Sequence, residues 1–536
     1  MKYAEIAERY LPWLFIAFIV SQNLSTAFVE GDDASTILYH ALGRDIALQK
    51  PYSAYHSFFD FLLSFLPANN INLLIYAALA LSVLGGSITL WFLDKLTNTH
   101  VKGFLLVIFI AVPEWLFMVL YINPSILAMG FYVLAFYLLW LDVKADHTRK
   151  YWLLASLAMS IAIALRWSFL IGTFVFMPLF FMKRDFSFYN VKDWWRLVVL
   201  RMRWLFLPLS VLGAIILIWI SGYEPQQVLE IMLWGQSYMS DKTLNPLVAL
   251  SNLSAFITPA FVILFLVGIF FTIKEKIWWI LMVFVMGGIP FVILGFDTSF
   301  KYNLTWLLPV MLILSIGLRK IQVASKPLKV LFYIILVFPW IFGVQVLDTR
   351  YTWGPGLEMQ LKLNKEYQGA QEGQRLFNPS FKAGLAMPNA EGVRPLYGYG
   401  DALLRGRWKK FNLERETERF ALAEYVSKNR CLIVADRPVA IMQMPFLQLG
   451  YQFNESSIRG NGVWSRKLVH SNKSEIWFIA PGDFTSTKDF VELIKSETTN
   501  GEASCAGIYA TFPKMTLELQ DIYPEIIIES GFTAHF

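Results

Sequence analysis

Long apolar runs, separated by short polar and basic connections, fill the first two thirds of the chain. A helix that crosses the hydrocarbon core needs about 20 predominantly apolar residues. Eleven stretches approach that pattern: 11–29, 71–93, 104–121, 126–141, 151–165, 168–182, 204–220, 256–273, 277–295, 304–318 and 330–347. Arg166 and Trp167 interrupt the fifth and sixth, and no comparable run follows residue 348. There the pattern changes. Strand-like runs (CLIVAD at 431–436, EIWFIAP at 475–481) accompany a helical one, ERETERFALAEYVSKN at 414–429. Residues 348–536 are long enough for a core of their own, and their mixture of periods predicts an α/β or α+β domain. The expected class is a polytopic α-helical membrane protein, with a transmembrane module over 1–347 and a C-terminal domain over 348–536.

Composition sharpens this reading. Of the 536 residues 56% are hydrophobic and only 16% charged, with a mean hydropathy of +0.48, whereas a soluble chain carries about 25% charged residues. A soluble multi-domain enzyme is excluded. With 32 Gly, 23 Pro and 2 Cys, so are a disordered chain and a disulfide scaffold. The net charge of +6 raises the question of nucleic acid, which the distribution of charge answers. With the N-terminus placed inside, the inner connections hold 19 Lys and Arg and the outer ones before residue 348 hold 5, the asymmetry of a membrane protein with a cytoplasmic N-terminus. The basic stretch Lys183–Arg203, with Trp194 and Trp195, is then an inner-face anchor, and no nucleic-acid partner is expected. Eleven spans put 348–536 on the extracytoplasmic side. Both cysteines, Cys431 and Cys505, lie there, in a compartment that permits a disulfide, although nothing in the sequence brings them together. The first span lacks a small-residue cleavage pattern and is expected to remain as an anchor.

The connection 30–70 is too long to be a mere link. Ile37, Leu38, Ala41, Leu42 and Ile46 recur at helical spacing opposite Arg44 and Asp45, and an aromatic-rich stretch over roughly 53–66 is too short to span. Two interfacial helices are expected, shaping a cleft for an amphiphilic substrate. At its entry stand Asp32 and Asp33. Adjacent carboxylates repel, so that one is held protonated or both share a cation, which suits a base that takes a proton from a hydroxyl. Asp33 is also placed to cap the helix beginning near Ser35.

With about eleven spans, a first outer loop beginning Gly31-Asp32-Asp33-Ala34, interfacial helices after it and a C-terminal outer domain, the chain resembles the GT-C superfamily of integral membrane glycosyltransferases. Protein O-mannosyltransferases, aminoarabinose transferases of lipid A and mycobacterial arabinofuranosyltransferases share this pattern. The resemblance covers residues 1–350 in architecture and Asp32 and Asp33 in motif. It implies that this acidic pair carries the catalytic base, that the donor is a polyprenyl-phosphate sugar, and that transfer inverts the anomeric centre. The acceptor would be a glycan, lipid or protein of the cell envelope. Asp-Asp-Ala hints at a pentose such as arabinofuranose, and family grounds alone favour a bacterial inner membrane.

Other residues complete the candidate site. A departing lipid phosphate needs a cation. Arg166, in an apolar run near the outer face, and Lys301, in the outer connection GFDTSFKYN, are the candidates. A structural salt bridge or snorkelling is the alternative for Arg166, and an ion pair with Asp297 for Lys301. Glu114, inside the third span, could be a second carboxylate, a metal ligand or a counter-ion of Arg166. His56 and His40 could join the acidic pair in a divalent-metal site; no zinc-type spacing exists, and the metal is an option rather than an expected requirement. Tyr52 and Tyr55 could stack on sugar rings, or simply sit at headgroup level. Asp60, on the second interfacial helix, is a weaker candidate. The competing readings are a lipid-linked glycan ligase or polymerase and a secondary transporter.

Overall fold

The computed structural model describes residues 57–66, 71–97, 123–145, 151–183, 185–188, 190, 203–224, 226, 259–294 and 300–341. Beyond these it describes the backbone of six strands between 431 and 528. The spans expected over 11–29 and 104–121 and the helix over 414–429 lie outside the described residues.

The described part of 1–347 is helical. In chain order it comprises α1 (Ser57–Ser64), α2 (Ile71–Thr97), α3 (Ser125–Lys144), α4 (Tyr151–Leu165), a 3₁₀ segment (Trp167–Phe176), α5 (Met177–Phe180), α6 (Phe206–Ile220), α7 (Pro259–Lys274), α8 (Trp278–Leu294), α9 (Phe300–Gln322) and α10 (Lys326–Ile341). Three helices contain stretches long and apolar enough to cross a membrane: Leu73–Leu93, Ser125–Lys144 and Leu304–Ile321. α4, α6, α7 and α8 are shorter but equally apolar. Their outward faces carry stripes at helical spacing: Leu212, Ile216 and Trp219 on α6, Leu266, Phe270 and Ile273 on α7, Trp278, Met282 and Val285 on α8, all exposed. Water would make such surface a liability, and a lipid environment makes it ordinary. Several hydroxyls in these helices are satisfied within their own turns, as when Ser156 Oγ donates to the Trp152 carbonyl (2.9 Å) and Ser160 Oγ to the Ser156 carbonyl (2.8 Å). Hydrocarbon offers no other partner.

One expected span takes a different form. The run 168–182 is a 3₁₀ segment over Trp167–Phe176 followed by a single α-turn, Met177–Phe180. Its sequence, WSFLIGTFVF, is rich in aromatic and β-branched residues and contains Gly172, all poor helix formers. Hydropathy measures apolarity and is blind to the kind of helix. Here packing holds the segment: Tyr132 Oη donates to the Gly172 carbonyl (2.9 Å) and lies 3.4 Å from that of Thr305.

Packing runs α2 on α3, α3 on α4 and α4 on α6, with a second group in which α7 and α8 pack on α9, and α8 on the 3₁₀ segment. α2 and α3 meet at two glycines, where a Cβ on Gly130 would lie 2.8 Å from the Gly85 carbonyl oxygen. The basic helix ends gather at one end of the bundle. There Lys144 Nζ lies 5.0 Å from the centre of the Trp140 ring, Trp140 stacks on Phe186 (5.6 Å), and Phe186 stacks on Trp279 at the start of α8 (5.7 Å). Glu275, just before α8, pairs with Lys320 and Arg319 in the last turn of α9.

Beyond residue 430 the strands form one sheet of order β2-β3-β4-β1-β5-β6, with β1 Cys431–Ala435, β2 Gln452–Arg459, β3 Val463–His470, β4 Lys473–Ala480, β5 Cys505–Tyr509 and β6 Ile527–Ile528. β2, β3 and β4 are an antiparallel meander, and β1 pairs parallel with both β4 and β5. Gly460-Asn461-Gly462 joins β2 to β3, a turn sequence of the kind hairpins use. β1, CLIVA, is apolar throughout, as expected of a strand with a neighbour on each side in a parallel arrangement.

Candidate functional site

Asn123 and Pro124 set the start of α3. Proline fixes its own φ and suits a helix entrance. The Asn123 Oδ1 accepts the Ser125 backbone N–H (2.8 Å) and the Ser125 hydroxyl, serving one of the donors that a helix start leaves without an intrahelical partner. The same oxygen accepts Arg166 Nη1 at 3.0 Å. Arg166 ends α4: its N–H still donates to the Ala162 carbonyl (3.0 Å), but its backbone is extended (φ −158°, ψ 113°), and its carbonyl accepts Phe169 N–H at the start of the 3₁₀ segment. The chain therefore leaves the α-helix at the arginine. Arg166, Asn123 and Ser125 are all 0% exposed.

Burying a guanidinium among apolar helices is costly and calls for polar company. Asn123 supplies part of it, and Ser168 is also buried. Asp60, on α1, is only 4% exposed, and α1 packs against α4, α6 and α2. The expected short helix over 53–66 is thus present as Ser57–Ser64, but Phe59, Asp60 and Leu63 face protein. An interfacial helix is expected to turn its polar groups to headgroups, whereas Asp60 is turned toward protein.

Lys301 lies in the first turn of α9, which begins at Phe300, where the sequence suggested a connection. An apolar scan starts a helix only where the apolar residues begin, while backbone hydrogen bonding carries the helix further out. Thr305, one turn along α9 from Lys301, packs on Gly172, with its Cγ2 2.6 Å from where a glycine Cβ would stand. From that level both chains run to the basic end. Arg166 lies six residues back along a 3₁₀ path, about 12 Å, and Lys301 four residues back along an α-helix, about 6 Å. The two candidate cations therefore share the end of the bundle opposite the basic loops.

Asp32, Asp33, Tyr52, Tyr55, His40, His56, Glu114 and Asp297 lie outside the described residues. Among the described residues no three His, Cys, Asp or Glu side chains group as metal ligands would. Asn123 was not singled out from sequence, although an Asn-Pro pair before an apolar run is a legible turn and helix-start signal. No protein-family model, curated protein or solved structure matches the chain.

Proposed function

We propose that the chain is an integral membrane glycosyltransferase of the GT-C kind, moving a sugar from a polyprenyl-phosphate donor to an envelope acceptor. The observation that carries this reading is a fully buried arginine at a helix break, on the end of the bundle away from the basic loops. Under the eleven-span reading, that end is extracytoplasmic, and the sequence puts Asp32 and Asp33 on the same side. An intramembrane cation is functional by default, and a guanidinium fork suits phosphate oxygens. In this reading Asp32 or Asp33 takes the acceptor proton, while Arg166, and Lys301 nearer the rim, offset the charge developing on the departing phosphate. Because Arg166 is enclosed, the donor headgroup reaches it only by parting the elements that cover it. In the same reading Glu114 and His56 stand beside the acidic pair as a second carboxylate or as ligands of a divalent metal, and Tyr52 and Tyr55 stack on the sugar rings. The domain over 348–536 would lie outside a bacterial inner membrane, with the N-terminus in the cytoplasm.

The test is donor-dependent glycan transfer by the purified chain in lipid vesicles. Asp32→Asn and Asp33→Asn keep shape and remove a proton acceptor, and loss of a general base costs about 10²–10⁴-fold. At least one should lose transfer to that extent while inserting normally, and full activity in both would defeat the assignment. One observation favours a secondary transporter instead: irregular helix beside a buried charge is also how transporters line a substrate path. Substrate accumulation by the same vesicles, with no glycan product, would select that reading.

A further inference from the structure

β1 and β5 are parallel neighbours, and Cys431 stands at the same register position as Cys505. These are the only two cysteines in 536 residues. Neighbouring strands lie about 4.7–4.9 Å apart, inside the roughly 4.4–6.8 Å between Cα atoms that a disulfide bridges. Registered residues also share one face of a sheet, whereas a slip of one position would put the two on opposite faces. The backbone register thus supplies the proximity that the sequence left open, with both residues on one face of the sheet.

We propose that Cys431 and Cys505 form an intramolecular disulfide that staples β1 to β5. The inference rests on the extracytoplasmic placement of 348–536 proposed above, since a reducing cytosol would keep the thiols free. β5 joins the sheet only after the whole β2–β4 meander has intervened, so the bond would fix the contact that closes the longest loop among the pairs of this sheet. Its formation requires an oxidant, and a disulfide-bearing thiol oxidoreductase of that compartment supplies it. One cysteine thiolate attacks the oxidoreductase disulfide to give a mixed disulfide. The second thiolate then displaces it. The S–S bond forms in this chain, two electrons and two protons pass to the oxidoreductase, and it leaves as a dithiol.

The experiment uses the full chain, with membranes solubilised in excess N-ethylmaleimide and the protein digested without reduction for mass spectrometry. A linked peptide pair carrying no maleimide at either cysteine is expected, and after reduction both cysteines should accept label. In Cys431→Ser, Cys505 should take label without reduction. Maleimide on both cysteines of the untreated chain, or a link to another chain, overturns the proposal. A reporter fused after residue 348, read in parallel, separates the causes. Free thiols with an extracytoplasmic reporter reject the disulfide alone, and free thiols with a cytoplasmic reporter reject the topology as well. The transfer assay on Asp32 and Asp33 is independent of both.

Discussion

Asn123 and Arg166 are bound so closely that removing either disturbs the other, and the two substitutions have different signatures. The Asn123 oxygen serves Arg166, the Ser125 N–H and the Ser125 hydroxyl at once. Asn123→Ala strips an acceptor from three buried donors. Leaving a buried polar group unsatisfied costs about 1–3 kcal/mol, so a clear fall in melting temperature is expected. Arg166→Lys keeps the charge but loses the planar fork. If Arg166 holds the donor phosphate, the lysine variant should bind or turn over donor about tenfold or more worse, for the loss of one charge-assisted hydrogen bond of roughly 1.5–3 kcal/mol, at unchanged protein abundance. A purely structural arginine would instead leave donor affinity intact in every variant that still folds. Melting temperature and donor affinity measured together on Asn123→Ala, Arg166→Lys and Arg166→Ala decide between the two roles. The sequence made Arg166 conspicuous because charge in an apolar run is rare. It could not show that Asn123 and Arg166, 43 positions apart, meet, since that depends on how α3 and α4 pack.

Among the elements, two contacts make separate forecasts. The α2–α3 crossing depends on Gly85 and Gly130 because the backbones touch there. Small residues at such crossings allow close approach where no hydrophobic force drives helices together in lipid. Gly130→Val should therefore destabilise, by about 1–3 kcal/mol for an overpacked site, read as a lower melting temperature in detergent. Gly222 makes the control: it sits at φ +94° with nothing within 4 Å of its Cβ position, so Gly222→Ala strains the backbone without a clash. At the basic end, Glu275 receives the Lys320 ammonium, and this hydrogen bond is the main cause of a carboxyl held below its ordinary value; desolvation opposes it, and the charges of Lys320, Arg319 and Lys274 add to it. A lowered folded-state value means a contribution fully present above the ordinary glutamate value and lost as pH falls through the folded one. Wild type and Glu275→Gln should thus differ in melting temperature near neutrality, modestly because the pair is solvent-exposed, and converge in acid. Their curves staying parallel across that range would dismiss the ion pair. Helix limits were legible where apolar runs end in charge: the sequence put one over 151–165, and α4 is Tyr151–Leu165. The 3₁₀ form of 167–176 was not legible, because the residues it packs on at Gly172, Tyr132 of α3 and Thr305 of α9, come from helices distant in sequence.

At the scale of the molecule, the charge asymmetry and the packing can be tested against each other. The sequence assigned Lys144, Lys183, Lys274, Lys276, Arg319 and Lys320 to one side by counting charges, knowing nothing of which helices touch. The ring contacts Trp140–Phe186–Trp279 and the Glu275 pair bring the helix ends bearing these residues together at one end of the bundle, as any consistent threading requires. What counting cannot supply is the strand register beyond residue 430, which only the paired backbone reveals. α6 starts near Phe180, with the Phe180 and Phe206 ring centres 5.9 Å apart, and runs away from the basic end to Gly222. Positive charge is retained in the cytoplasm, so a reporter active only outside it should be silent when inserted at 146–150 or at 183–190. It should be active when inserted at Gly222 or fused after residue 348. Reversal at all four positions would keep the fold and invert the orientation, moving the Arg166 end to the cytoplasm and removing the extracytoplasmic donor from the proposal. Disagreement between 146–150 and 183–190, which the Trp140–Phe186 stack holds at one end, would instead break the helix arrangement itself.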